Sequence, residues 1–95
     1  HQIFPVNRYG EAARRAYSLV GPICSPGDLL SYASHLPELR AGDSVAIMDA
    51  GAYFVPFATS FSFPQPAIVA LEGGKETLLR RAETFESQLS LDEGV

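Results

Sequence analysis

The single cysteine, Cys24, lies in "LVGPICSPGDLL" (Leu19 to Leu30), where an apolar segment runs into a cluster of turn residues. Its place suits two uses. A free cysteine packs as a small hydrophobe at the end of a strand. Alternatively, a strand-to-turn junction carries the thiol to a domain edge, where it can do chemistry. Pairing with His35 would make a Cys–His nucleophile on paper, but no motif around either residue supports it. The second candidate is "DAGAY", Asp49 to Tyr53. Gly51 and Ala52 let the backbone pass close to a neighbour, and the Tyr53 phenol can then hydrogen-bond outward. The alternative is a tight sheet-to-loop transition with Tyr53 half-buried. Lys75 is the sole lysine, and a Schiff-base role would require burial that lowers its pKa. Its setting, "EGGKET", is instead a polar turn with a solvated lysine.

Composition narrows what these groups can do. A chain of 95 residues is expected to be a single small domain, residues 1–95, burying roughly 60–70% of its unfolded surface in one modest core. Apolar content of 46%, with six Phe and four Tyr, argues for a folded chain. The net charge is −4, and the seven basic residues are scattered, pairing only at Arg14-Arg15 and Arg80-Arg81. That leaves no phosphate-tracking stripe, so nucleic acid is not an expected partner. One cysteine rules out an internal disulfide and multi-cysteine zinc sites. The remaining His1, His35 and carboxylates lack ligand spacing, so no metal is expected. No apolar run approaches the roughly 20 residues of a membrane span. No signal-peptide pattern opens the chain, and cytoplasm is the expected compartment. The opening "HQIFPV" starts without Met inside an apolar segment, as a fragment of a longer polypeptide would.

The elements that must position these groups follow from pattern and breakers. "HQIFPV" reads as a short strand closed by Pro5. Residues from about Arg15 to Ile23 read as one strand on their aromatic and branched content. "CSPGD" is a turn, and Asp28 is expected to cap a short helix over "LLSYASHL" that Pro37 ends. Gly42-Asp43 precedes a strand in "SVAIMDAGAY", with Val45 and Ile47 on one side and Ala46 and Met48 on the other; two apolar faces suggest a central strand. "FVPFATSFSFPQP" is loop-like or at best briefly helical, and its Phe54, Phe57, Phe61 and Phe63 serve packing or a partner surface. "AIVALEGG" is a strand ended by Gly73-Gly74. Leu78, Leu79, Ala82 and Phe85 show helical spacing. The sum is a mainly β domain with one or two short helices.

"VGPICSPGDLL", "LPELRAGDSVAIMDAGAY" and "PAIVALEGG" followed by "LLRRAETFESQL" together resemble the C-terminal domain of the alanine-racemase-like pyridoxal-phosphate decarboxylases. Diaminopimelate, ornithine and arginine decarboxylases make up that group, and the diaminopimelate branch is nearest in wording. The likeness runs in consistent order over nearly the whole chain. It implies a β-sandwich or barrel-like C-terminal domain whose N-terminal barrel, with the cofactor lysine and phosphate loop, is absent from these residues. The fragment alone is therefore expected to be inactive.

By the same resemblance, Cys24 matches the catalytic cysteine that returns a proton to Cα after CO₂ leaves. Tyr53 matches the tyrosine that contacts the phosphate of pyridoxal 5'-phosphate. The resemblance further implies a homodimer with composite active sites, Cys24 reaching into the partner's pocket while Tyr53 serves its own. The position after the cysteine usually carries a carboxylate that holds the distal amino end of the substrate; here it is Ser25, which cannot pair an ammonium. The implied substrate is an amino acid, or a carrier-bound aminoacyl group, lacking that cationic end. A non-catalytic β-domain for dimerisation or partner binding is the alternative, which Ser25 favours and Cys24 with Tyr53 disfavours.

Overall fold

The computed structural model describes residues 1–94. It divides into two compact units, His1–Pro56 and Phe57–Val95. Strands dominate both: the described residues form six strands and two short α-helices, the mainly β content expected from pattern. The strands form three separate two-stranded antiparallel sheets, with no closed barrel among the described residues.

In the first unit, β1 (Ile3–Pro5) pairs with β4 (Val45–Ile47). The pair is extended by Met48 N–H donating to the Gln2 carbonyl at 2.8 Å and Val6 N–H to Ser44 at 2.9 Å. A 3-10 turn, Val6–Arg8, then brings Arg8 Nε to Asp43 Oδ2 at 2.7 Å. The same oxygen accepts from Arg40 N–H at 2.8 Å, so one carboxylate holds both the turn before β4 and the turn after β1. The hydrogen bonds from Arg8 and the Arg40 amide outweigh desolvation and lower the Asp43 pKa below the usual carboxylate value.

Strand β2 (Arg15–Val20) pairs with β3 (Leu29–Leu36). Along β2 the pattern alternates, Tyr17 and Leu19 half-buried between exposed Ala16, Ser18 and Val20, as a strand covered on one face requires. The expected helix over Leu29 to Leu36 is therefore corrected to a strand. Its apolar spacing fits either period, and pairing with β2 supplies the backbone partners that decide between them. Two register shifts relative to β2, with Ala33 at φ +56°, mark bulges that fit the longer strand to the shorter one. Strand β2 also stops at Val20 rather than Ile23, because Gly21-Pro22 bends the chain away. Strand β4 covers only the first part of the expected segment and pairs with β1 alone, which corrects its placement as a central strand.

In the second unit, β5 (Ile68–Glu72) and β6 (Lys75–Arg80) form a hairpin. Gly73 (φ +56°) and Gly74 (φ +74°) form its two-residue turn, a left-handed pair that only glycine adopts freely. The helical spacing read through Leu78 and Leu79 is corrected: both lie in β6, and only α2 (Phe85–Gln88) is helical there. Thr84 caps α2 reciprocally with Ser87. Among the described residues only Leu36 (4% exposed) and Pro37 are buried, far less than the core expected from composition.

Candidate functional site

Cys24 is exposed in the loop that joins β2 to β3. Of the two uses its position allowed, packing as a buried hydrophobe does not occur within this chain. The loop is held at its base. Gly21 N–H donates to the Asp28 carbonyl at 2.9 Å, and Asp28 N–H donates to the Ser25 carbonyl at 3.1 Å. Asp28 Oδ2 accepts from Ile23 N–H at 3.1 Å. The side chain read as a helix cap thus closes the loop around the thiol. Ser25 is exposed next to Cys24, and its Oγ accepts from Gly27 N–H at 3.3 Å.

Tyr53 stands on a different segment, after β4 and directly before α1 (Phe54–Phe57). It is 76% exposed. Its φ of +68° lies in the left-handed region, an uncommon and costly conformation for a bulky side chain. Such strain persists only where neighbours over-determine it, and it clusters at functional positions. Asp49, at φ +54°, opens the same segment, so the turn after β4 is doubly constrained.

The two segments approach a common apolar pocket of about 180 Å³. Leu29 and Leu30, which follow the Cys24 loop, line it together with Ile47, Ala50 and Phe54 from the Tyr53 side and with His1. His1 and Phe54 meet edge to face across it, with ring centroids 5.4 Å apart. Cys24, Ser25 and Tyr53 are not among the lining residues: the first two precede Leu29 in the loop, and Tyr53 directly precedes Phe54. His35 belongs elsewhere. It pairs with Ala16 near the far end of β3, about 20 Å along the strand from Leu29 at ~3.3 Å per residue, which removes the Cys–His pair. Lys75 is exposed beside the Gly73-Gly74 turn, opposite Glu72, as a solvated lysine should be. Sequence reasoning missed Asp28 and Gly21 as loop-closing residues; the signal available was their placement on either side of the cysteine.

An exposed thiol on a closed loop can give a proton to a group that this unit does not itself enclose. A phenol on a rigid turn can donate to an anion such as a phosphate. A family model described as the C-terminal sheet domain of pyridoxal-dependent decarboxylases matches residues 1–51, more than half of the chain. The chain belongs to this decarboxylase family. The matched span includes Cys24 and Ser25 and ends two residues before Tyr53.

Curated relatives of this decarboxylase domain carry the name diaminopimelate decarboxylase. The protein from Bacillus subtilis (strain 168) is 38% identical over 87 residues, covering 90% of this chain and 20% of its own length. The one from Methanothermobacter thermautotrophicus is 36% identical over 90 residues, covering 94% of this chain and 21% of its own. That from Archaeoglobus fulgidus is 34% identical over 86 residues, 90% of this chain and 20% of its own. The chain thus spans about a fifth of the length of the curated relatives it matches.

The residues present fit a peripheral share of a pyridoxal-phosphate site. Tyr53 offers a donor of the right kind for a phosphate, whereas exposed Lys75 in a hairpin turn does not suit a covalent anchor. No described helix is long and apolar enough to cross a membrane.

Proposed function

We propose that this chain is the C-terminal domain of a pyridoxal-phosphate-dependent amino-acid decarboxylase of the diaminopimelate decarboxylase kind. In this proposal it completes an active site whose cofactor lysine lies in an N-terminal barrel of the same protein. The observation that carries the proposal is the exposed Cys24 thiol on a closed loop, within the span matched to the family. The cofactor, when bound, supplies the electron sink for the pair left behind as CO₂ departs. Cys24 holds the proton on Sγ and delivers it to the substrate Cα. Tyr53 would hold the cofactor by donating its phenolic hydrogen to the phosphate. Ser25 lines the path of the substrate side chain without a charge, which favours an amino acid or carrier-bound aminoacyl group that lacks a distal ammonium.

The exposed position of Cys24 supports a composite homodimer in which the thiol enters the partner's pocket and Tyr53 serves its own subunit. The isolated domain has no activity. A reducing compartment such as the cytoplasm keeps the lone cysteine as a thiol. The test is Cys24→Ala in the full-length protein. Cofactor absorbance remains, while turnover or product fidelity falls by about a hundredfold or more, the usual contribution of a positioned acid. Unchanged turnover and product distribution would remove the proton-donor role and leave a non-catalytic domain.

A further inference from the structure

Gly21 poses a question that its own backbone does not answer. Its φ lies outside the left-handed region, so its torsions admit any residue. A Cβ at this position, however, would fall inside the Asp28 carboxylate. Any larger residue here has to displace the Asp28 carboxylate, the movable end of the side chain opposite. That carboxylate accepts from Ile23 N–H at 3.1 Å, one residue before the thiol. The Asp28 backbone meanwhile bonds Ser25 on the other side and Gly21 at the base, at 3.1 and 2.9 Å. The residues on either side of Cys24, Ile23 through its N–H and Ser25 through its carbonyl, are thus both tied to one residue, and the bare Cα of Gly21 is what lets that residue's side chain reach.

We propose that Asp28 is a positioning residue for Cys24, with Gly21 as its necessary counterpart. The carboxylate fixes the backbone that carries the thiol, and so sets where Sγ is presented. The catalytic consequence rests on the assignment of Cys24 as proton donor; the loop clamp itself does not. Misplacing a reacting group by about 1 Å can cost about a hundredfold in rate, so release of the clamp acts on kcat. Substrate binding by the rest of the protein is left largely alone.

The experiment uses the full-length protein loaded with pyridoxal phosphate and four variants: Asp28→Ala, Asp28→Asn, Gly21→Ala and the double Gly21→Ala/Asp28→Ala. Two readouts are taken, the rate of Cys24 alkylation by iodoacetamide and the separate kcat and KM values. Asp28→Ala changes the alkylation rate and lowers kcat about tenfold or more while KM stays within about twofold. Asp28→Asn keeps an acceptor oxygen for Ile23 and stays within about threefold of the parent. Gly21→Ala pushes the carboxylate off Ile23 and reproduces the Asp28→Ala values. The double variant is no worse than either single one, because the added methyl no longer meets a carboxylate. Should Asp28→Ala fail to accumulate, Asp28→Ser replaces it in the same cycle. Strictly additive losses from Gly21→Ala and Asp28→Ala, or an unchanged alkylation rate in Asp28→Ala, would overturn the clamp. A coupled alkylation pattern with turnover indifferent to both Asp28→Ala and Cys24→Ala would uphold the clamp and overturn its catalytic consequence.

Discussion

Replacing Ser25 with Glu in the full-length protein should shift substrate choice toward a cationic side chain. The loop tolerates the change: Ser25 is exposed, and its one side-chain bond, to Gly27 N–H, is long at 3.3 Å. Its carbonyl still accepts from Asp28 N–H at 3.1 Å, so the turn that carries Cys24 stays closed. The gain comes from one charge-assisted bond between the new carboxylate and a distal ammonium. Such bonds contribute about 1.5–3 kcal/mol when shielded, and exposure to solvent reduces that to about 1 kcal/mol, or roughly fivefold. The assay is kcat/KM for lysine against norleucine, which have comparable chains but differ in the terminal charge. The lysine-to-norleucine ratio should rise about fivefold over the parent. A ratio that moves less than about twofold, with Cys24→Ala still lowering turnover, would show that position 25 does not face the substrate side chain.

Other expectations follow from particular residues. Leu36→Ala truncates one of the two buried side chains among the described residues, the other being Pro37, and should lower stability by about 2–5 kcal/mol in urea unfolding. Glu83 accepts from Ser60 Oγ at 2.7 Å, Gln65 N–H at 2.9 Å and Gln88 Nε2 at 3.4 Å, and these bonds, Ser60 foremost, lower its pKa below the ordinary 4.5. Its contribution is therefore complete above about pH 4.5 and is lost as pH falls through the lower folded value, where the unfolded carboxyl is already protonated. Urea midpoints measured across that range should fall less steeply in Glu83→Gln than in the parent. A variant as steep as the parent would assign the acid sensitivity to other carboxylates.

Local breakers were the legible part of the fold. Pro5 closes β1 and the Gly73-Gly74 pair closes β5, as their torsional limits require. What local pattern does not carry is the partner. Leu29, Leu30, Ala33 and Leu36 fit a helical face about as well as a strand, and Asp28 before them looks like a cap. The decision is made by Arg15–Val20, nine or more residues away, whose peptide groups pair with them. Leu78 and Leu79 were misread for the same reason, since their partner is β5 across the turn. The candidate site was more legible than the fold around it. Turn residues around Cys24 foretell an exposed thiol whether the next element is helix or strand. The clamp was not legible, because an aspartate that caps a helix and one that closes a loop look alike until the following backbone is known.

The exposed thiol and the strained tyrosine lie on different segments of one unit, and the composite-dimer proposal assigns them to different active sites. Mixing two inactive proteins separates that proposal from a site built within one subunit. Cys24→Ala supplies a sound Tyr53, and Tyr53→Ala supplies a sound Cys24. If each active site takes Tyr53 from its own subunit and Cys24 from the partner, a mixed dimer contains one intact site and one doubly defective site. Equal mixing after subunit exchange makes about half the dimers mixed, so activity should return to about a quarter of the parent level. If both residues serve the same subunit's site, each site in every mixed dimer carries one defect and no activity returns. Recovery with each variant inactive alone would establish the crossed arrangement. Its absence after verified exchange would refute it, because a crossed arrangement leaves one intact site in every mixed dimer.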